Sequence, residues 1–192
     1  MYLNFRIKVY IPDLIAWPFI AIALWYRRKK YGYTFRRIKL PKNKYAIVDP
    51  EDYQKLARDD WHLFESESKN YYAVRYENGK LLKMHRVITN APKGKIVDHK
   101  NRDGLDNRKA NLRIATRAQN QYNRRKTSKK TSSKYKGVDL DRSKNKYRAI
   151  ISCDGKRIFL GYFNNEIDAA KAYDKAARIY HGEFAFLNLN QP

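Results

Sequence analysis

Residues 84–120 read MHRVITNAPKGKIVDHKNRDGLDNRKANLRIATRAQN, and this stretch decides the fold of the middle of the chain. Its apolar residues predict a short strand over Lys95–His99 and a second strand over Asn111–Ala115, with a polar loop between them. Thr116 is a good helix N-cap, and we predict a helix after it that runs to about Lys126. This order of strand, loop, strand and helix brings the end of the first strand beside one face of the helix.

Three polar side chains fall where that strand and that helix meet. Asp98 and His99 end the first strand, and Asn120 lies on the helix. Because neighbouring strand residues point to opposite faces, Asp98 and His99 share a site only if the chain bends into the loop there. Carboxylate and amide oxygens suit magnesium rather than zinc, and an imidazole can take a proton from water. Together with a basic surface, these groups predict hydrolysis of phosphodiester bonds.

The quoted stretch closely resembles the homing-type HNH endonucleases, which have a ββα-metal core. The resemblance implies that His99 is the general base and that Asp98 and Asn120 hold one divalent cation, magnesium or else manganese. Asn123, one helical turn further on, is the competing ligand. The preceding segment Tyr45–Trp61 also looks like the portion that comes before the motif in this family.

The resemblance assigns two further residues to the catalytic group. Asn111 would fix the loop through backbone hydrogen bonds, and His85 would support the site without holding the metal. Basic residues around the motif would contact the backbone phosphates of double-stranded DNA without reading its sequence. They are Arg102, Arg108, Lys109, Arg113, Arg117, Arg124 and Arg125.

Other local signals place elements around this motif. Upstream, they predict a strand over Tyr45–Val48, a helix capped by Asp49 with Pro50 in its first turn, a hairpin through Asn78-Gly79, and a short helical turn over His85–Asn90. Downstream, the Lys-, Ser- and Thr-rich segment Lys126–Lys134 predicts a linker. Three strands are then predicted over Tyr135–Leu140, Tyr147–Ser152 and Arg157–Phe163, followed by a helix from Glu166 to His181 that Gly182 ends. Ile167, Ala170, Tyr173, Ala177 and Tyr180 recur at helical spacing and are predicted to face the sheet.

Within residues 134–189, the segments YKGV, YRA, GKRIFLGYF, DAAKAYDKAA and FLN resemble the plant ethylene-response-factor or Apetala-type DNA-binding domain. That resemblance implies a three-stranded antiparallel sheet in the major groove with one helix packed behind it. The positions expected to contact DNA are Lys136, Arg148, Arg157, Phe159 and Tyr173. The chain departs from the plant pattern at Asp139, Asp141, Ile150 and Ser152, so the plant target sequence does not carry over.

The composition supports a polyanionic partner. The 192 residues include 42 Lys and Arg against 19 Asp and Glu, a net charge of +23. The excess is concentrated in residues 1–50 (11 basic, 2 acidic) and 100–136 (13 basic, 2 acidic). A hydrophobic content of 43% excludes a fully disordered tail, and a single Cys excludes both a disulfide framework and a zinc site built from Cys pairs.

An uncharged apolar run, Leu14–Trp25, stands apart from this pattern and is followed by Arg27, Arg28, Lys29 and Lys30. It is shorter than the roughly 20 residues of a membrane-spanning helix. It lacks the basic start and cleavage site of a signal peptide. Three interpretations remain open: a buried helix, a short membrane anchor with a basic flank, and an interfacial segment.

The sequence therefore predicts an α+β protein with four parts. These are an N-terminal apolar helix and basic flank (1–44), an HNH nuclease domain (45–126), a linker (127–134) and an Apetala-type domain (135–192). We expect a metal-dependent DNA endonuclease of the cytoplasm or nucleoid, with no small-molecule cofactor and with membrane association through residues 11–26 as an open question. The alternatives are a catalytically silent DNA-binding regulator or architectural protein, with or without a membrane tether, and a basic RNA binder.

Overall fold

The computed structural model describes residues 13–67, 69–126 and 132–189 of the chain. It is a mixed α/β structure. The elements, in chain order, are α1 (Asp13–Tyr31), β1 (Arg36–Lys39), β2 (Tyr45–Val48), α2 (Pro50–Leu56), β3 (His62–Glu65), β4 (Tyr71–Glu77), β5 (Lys80–Lys83), α3 (Met84–Thr89), β6 (Ile96–His99), β7 (Leu112–Ala115), α4 (Arg117–Asn123), β8 (Val138–Asp141), β9 (Lys146–Cys153), β10 (Lys156–Phe163) and α5 (Glu166–His181). Every strand pairing in these sheets is antiparallel.

The strands and helices predicted from local patterns are present, with two additions and one shorter helix. Strands β1 and β3 were not among the predicted elements. Helix α4 ends at Asn123 rather than near Lys126, because Arg124 has extended backbone angles. The ammonium group of Lys136 donates to the carbonyls of Gln121, Tyr122 and Arg124 at this end of the helix, at 3.0, 2.6 and 2.8 Å. A cation at this position is also favoured by the helix dipole.

The first hydrophobic core lies between the β1–β2 hairpin, helix α2 and the sheet β3–β4–β5. Ile38 on β1 pairs with Ala46 on β2, and both side chains are buried. The Trp61 indole N–H donates to the carbonyl of Leu56 at 2.8 Å, which satisfies its one polar atom. The other buried members of this core are Leu40, Val48, Ala73, Met84 and Leu105. Leu105 comes from the loop between β6 and β7, so the core also fixes that loop.

Helix α1 does not bury the apolar run that it contains. Trp17, Phe19, Ile22 and Trp25 are 62% to 73% exposed, so the interpretation as a buried helix is wrong for these side chains. In the described part of the chain, no helix is both long enough and apolar enough to cross a membrane.

The C-terminal unit is a three-stranded sheet with the order β10-β9-β8 and helix α5 packed on one face. Ala149 and Ile151, two residues apart on β9, are both buried beneath the helix, because alternate side chains of a strand share one face. The prediction for α5 is only partly right: Ile167 and Tyr180 are exposed. The buried residues of the helix are Ala169, Ala170, Tyr173, Asp174, Ala176, Ala177 and His181.

The two units are in direct contact. Part of the predicted linker, residues 127–131, lies outside the described residues. On either side of it, Lys126 Nζ donates to the Tyr135 and Val138 carbonyls at 2.9 and 2.8 Å. The Tyr122 and His181 rings stack across the contact at 3.9 Å with an interplanar angle of 7°. Helix α4 is therefore packed against the C-terminal unit.

Gly137 provides a sharp test of packing in the C-terminal unit. Its φ is +73°, and a Cβ atom there would lie 2.5 Å from the Ile150 carbonyl oxygen and closer still to the buried Tyr173 ring. Gly155 has a similar φ of +78° but nothing within 4 Å of a Cβ atom. We expect Gly155→Ala to lower the free energy of unfolding by about 1 kcal/mol from backbone strain, and Gly137→Ala by about 3 kcal/mol or more from strain and overpacking. Urea denaturation of both variants measures the difference, and equal losses would contradict this packing.

Candidate active site

An open cleft of about 810 Å³ lies between the β3–β4 turn, the strand β6 and the end of helix α4. Asp98, His99, Asn120 and Asn123 all line it. The chain turns out of β6 directly after His99, which allows two neighbouring residues to face one cavity. The charged side chains around the cleft are mainly basic, namely Lys69, Lys83, Arg102, Arg124, Arg125 and Lys126, against Glu67, Asp98 and Asp103.

The Asp98 carboxylate is buried and held in place from two sides. Arg113, its partner across the β6–β7 pairing, donates Nε and Nη2 to Oδ2 at 2.9 and 2.7 Å. Asn123 donates Nδ2 to both carboxylate oxygens at 3.0 Å and to the His99 carbonyl at 2.9 Å. Asn123 therefore acts as a donor that positions Asp98, in contrast to a metal ligand, which would present its oxygen.

Asn120 lies one helical turn before Asn123 on the same face of α4 and borders the cleft. The start of this helix is fixed by a capping box: the Gln119 backbone N–H donates to Thr116 Oγ1 at 3.2 Å, and the Thr116 N–H donates to Gln119 Oε1 at 2.8 Å. Two of the backbone donors at this helix end are thereby satisfied, and the cap fixes the turn that carries Asn120.

The His99 imidazole is 5% exposed, and Asn107 fixes its tautomer. The Asn107 amide N–H donates to the Leu105 carbonyl at 3.1 Å, which turns Oδ1 toward His99 Nε2 at 3.4 Å. Because that oxygen only accepts, Nε2 carries the proton and Nδ1 keeps the lone pair. Burial lowers the pKa of His99, against the opposing effects of the Asn107 hydrogen bond and the Asp98 charge. A neutral imidazole with a defined basic nitrogen is the form that a general base requires.

His85 lies behind His99 rather than at the cleft surface. Their rings meet edge to face at 5.0 Å, and the Tyr72 ring packs at 5.7 Å from His85 and 6.0 Å from His99. Burial lowers the pKa of His85 to about 3, so this imidazole is neutral at any physiological pH. The Tyr72 and His85 rings therefore support the His99 ring from the side opposite the loop that carries Asn107.

Asn111 ties the loop between the two strands together, and the expected backbone hydrogen bonds are present. Its Oδ1 accepts from the Asn101 N–H at 3.0 Å, and its Nδ2 donates to the Asp106 carbonyl at 2.8 Å. The Asn107 N–H in turn donates to the Ile47 carbonyl on β2 at 2.7 Å. The loop that orients His99 is thus anchored both internally and to the first core.

Comparison with known proteins agrees with this geometry. Residues 83–122 match the model of a family described as HNH endonuclease. The chain is also 35% identical over 153 residues to a protein of Acanthamoeba polyphaga mimivirus described as an uncharacterized HNH endonuclease, covering 77% of this chain and 76% of that protein. The chain belongs to the HNH endonuclease family. No solved structure matches it.

As an HNH endonuclease, the protein is a nuclease, and nucleases of this family use a divalent metal ion. The described residues contain no group of three or more His, Cys, Asp and Glu side chains that could hold a metal ion by themselves. The cleft instead offers the Asp98 carboxylate and the neighbouring Asn120 amide. Such a set of two oxygen ligands fits a hard cation that keeps several waters and takes further ligands from a phosphate.

The structure separates the basic residues predicted to contact DNA into two groups. Several are engaged inside this HNH endonuclease: Arg108 with Asp106 at 2.6 Å, Lys109 with Glu51 at 2.5 Å, Arg113 with Asp98 at 2.7 Å, and Arg148 with Asp139 at 2.6 Å. Arg102 borders the cleft with its guanidinium 5.0 Å from the Phe186 ring. The exposed basic members are Arg117, Arg124, Arg125 and Arg157, and the predicted aromatic contact Phe159 is exposed as well.

Two predicted DNA contacts are wrong. Tyr173 is 2% exposed and packs between α5 and the sheet, so its side chain cannot reach a groove. The Lys136 ammonium donates its hydrogen bonds to the carbonyls at the end of α4. Burial at that position lowers the pKa of Lys136 to about 8. Tyr173 stabilises the C-terminal unit, and Lys136 stabilises its contact with helix α4. Both match DNA-contact positions of the family pattern, but a sequence match does not determine which way a side chain points.

Sequence reasoning also missed residues that build this nuclease site. Asn107 sets the His99 tautomer, Tyr72 packs on the His99 ring, and Arg113 pairs with Asp98 rather than with DNA. The Asn- and Asp-rich loop was recognised, but only the folded loop distinguishes Asn107 from its polar neighbours. Arg113 was detectable in principle, since β6 and β7 were predicted to pair and Asp98 lies opposite it.

Proposed function

We propose that this protein is a magnesium-dependent endonuclease of double-stranded DNA, with His99 as general base and Asp98 and Asn120 as the metal ligands. The observation that carries the proposal is the buried His99, fixed by Asn107 with Nδ1 as its basic nitrogen, beside Asp98 in a mainly basic cleft. Manganese has similar ligand preferences and is the alternative cation.

His99 Nδ1 accepts a proton from a water molecule, and that water attacks the phosphorus of the scissile bond. Asn107 keeps the proton of the neutral ring on Nε2, so the accepting nitrogen is always Nδ1. Arg113 and Asn123 hold the Asp98 carboxylate in one orientation toward the cleft. A cation bound at Asp98 and Asn120 would neutralise negative charge on the phosphate and on the leaving 3′-oxygen.

The C-terminal sheet is proposed to bind DNA in the manner of an Apetala-type domain. The face away from α5 carries Ile150, the exposed Arg157 and Phe159, whose side chain is 55% exposed. The two acidic departures from the plant pattern are engaged: Asp139 by Arg148 at 2.6 Å, and Asp141 by the Tyr162 hydroxyl at 3.1 Å. These contacts reduce the repulsion that either carboxylate would exert on a phosphate.

Magnesium titration of plasmid nicking tests the metal assignment. Wild-type protein is expected to nick supercoiled plasmid with magnesium and not with a chelator. Asn120→Ala is expected to raise the magnesium concentration for half-maximal nicking at least about tenfold, because one of two protein ligands is lost. Gln121→Ala, an exposed neighbour on the same helix, is the control and should leave the titration unchanged.

Two results would count against this assignment. An unchanged titration for Asn120→Ala, with a shift for Asn123→Ala, would transfer the ligand role to Asn123. Binding of DNA without nicking by the wild type, in either cation, would favour the silent DNA-binding protein instead.

A further inference from the structure

The β1–β2 hairpin, residues 36–48, is the most one-sidedly charged element of the described chain. It contains Arg36, Arg37, Lys39, Lys42 and Lys44 and neither Asp nor Glu. Ile38 and Ala46 face the core, so the alternate residues on β1, Arg37 and Lys39, lie on the outer face and are exposed. Lys42 is in the turn with a φ of 57°, and Lys44 follows it. We call this outer face the basic hairpin.

The charges of the basic hairpin are not neutralised by carboxylates. Among the ion pairs of the described residues, none involves Arg37, Lys39, Lys42 or Lys44. Arg37 and Lys44 rest against aromatic rings instead, at 5.8 Å from Tyr45 and 5.0 Å from Tyr71. Such contacts hold a cation in place and leave its charge available. Two mid-chain arginines, Arg108 and Arg113, are by comparison paired with Asp106 and Asp98.

The hairpin that carries these charges is also joined to the loop that forms part of the cleft. The Ile47 N–H donates to the Leu105 carbonyl at 2.8 Å, and the Ile47 carbonyl accepts from Asn107 at 2.7 Å. Lys44 packs on Tyr71, whose carbonyl lies so close to Gly104 that a Cβ on that glycine would clash with it. Gly104 lines the cleft. The hairpin is therefore hydrogen-bonded, through Ile47 on its second strand, to Asn107, the residue that orients His99.

We propose that the basic hairpin binds backbone phosphates of the DNA substrate beside the cleavage site, an inference that rests on the proposed function. Exposed lysine and arginine cations without carboxylate partners, on a hairpin bonded to the His99 loop, match the negative charge of a DNA backbone. Because the hairpin and the His99 loop form one hydrogen-bonded unit, a phosphate held by the hairpin is at a fixed position relative to the base. The hairpin contributes position and affinity, and no reading of base sequence.

The test is the salt dependence of duplex binding in the full chain. Lys39→Gln with Lys42→Gln removes two charges from the basic hairpin, and Lys175→Gln with Arg178→Gln removes two exposed charges from α5, behind the C-terminal sheet. Both pairs are placed in a His99→Ala background, so that the duplex stays intact, and binding is measured between about 50 and 200 mM salt. We expect the hairpin variant to lower the slope of log K against log salt by roughly 2 and the affinity on the order of tenfold, with little change in the α5 control.

Flotation with vesicles of phosphatidylcholine and phosphatidylserine is the second arm. Loss of vesicle binding in the hairpin variant with an unchanged DNA slope would overturn the proposal in favour of an anionic membrane surface. Equal slopes for the hairpin and α5 variants would also overturn it. Failure of the proposed function looks different, since the wild type with intact His99 would then fail to nick plasmid with magnesium whatever the slopes.

Discussion

His99→Ala is expected to lower the rate of plasmid nicking on the order of a thousandfold. The imidazole is the one group in the cleft with a defined neutral tautomer and a lone pair for the attacking water. Alanine removes that acceptor while Asp98, Asn120 and the surrounding cations stay in place. DNA binding should therefore change little, and the loss should fall on the chemical step. Single-turnover nicking of supercoiled plasmid with magnesium measures it directly.

His62→Ala is the matched control for that variant. The His62 side chain is 52% exposed on β3, and its nearest charged neighbour is Asp60 at 4.0 Å. Its removal should leave the nicking rate unchanged. If His99→Ala and wild type show the same residual nicking, the activity comes from elsewhere and the assignment of the base is wrong.

Elements with strong local signals were predictable from the sequence. The Asn78-Gly79 turn adopts positive φ at both residues, 49° and 71°, as a two-residue hairpin requires. Thr116 caps α4 through its own side chain, and Asn165 caps α5 by accepting from the Asp168 N–H at 2.8 Å. These features depend on residues within a few positions of one another. The same holds for the placement of Asp98, His99 and Asn120, since one strand, one loop and one helix bring them together.

Elements whose role depends on distant partners were not predictable. β1 has the sequence RRIK and resembles a charged flank, because only Ile38 of the four is buried and its strand character comes from pairing with β2. Lys136 matches a DNA-contact position in a family pattern, yet the end of α4 supplies three carbonyls that capture it. Asn107 differs from the other polar residues of its loop only in the folded structure, where its side chain contacts His99. In each case the deciding contact joins parts of the chain that no local pattern relates.

The Asp98–Arg113 pair shows that the active site also depends on contacts between distant parts of the chain. Arg113 donates to the Glu183 carbonyl and lies 4.0 Å above the Phe184 ring, both in the C-terminal unit. The same guanidinium holds the Asp98 carboxylate in the nuclease. Arg113, which orients the proposed metal ligand Asp98, is therefore itself held by the C-terminal unit.

Arg113→Met is expected to lower the free energy of unfolding by about 3 to 5 kcal/mol, because it leaves the Asp98 carboxylate buried without its partner. The two side chains are only 10% and 8% exposed, whereas Arg148 and Asp139, the comparison pair, are 37% and 41% exposed. Arg148→Met should accordingly cost much less, because solvent screens this exposed pair. In an Asp98→Asn background the cost of Arg113→Met should shrink by about 2 kcal/mol, since the uncompensated charge is gone and only the contacts to Glu183 and Phe184 are lost. Urea denaturation of the four proteins of this cycle measures the coupling, and an Arg113→Met loss no larger than that of Arg148→Met would show that the buried pair does not stabilise the site.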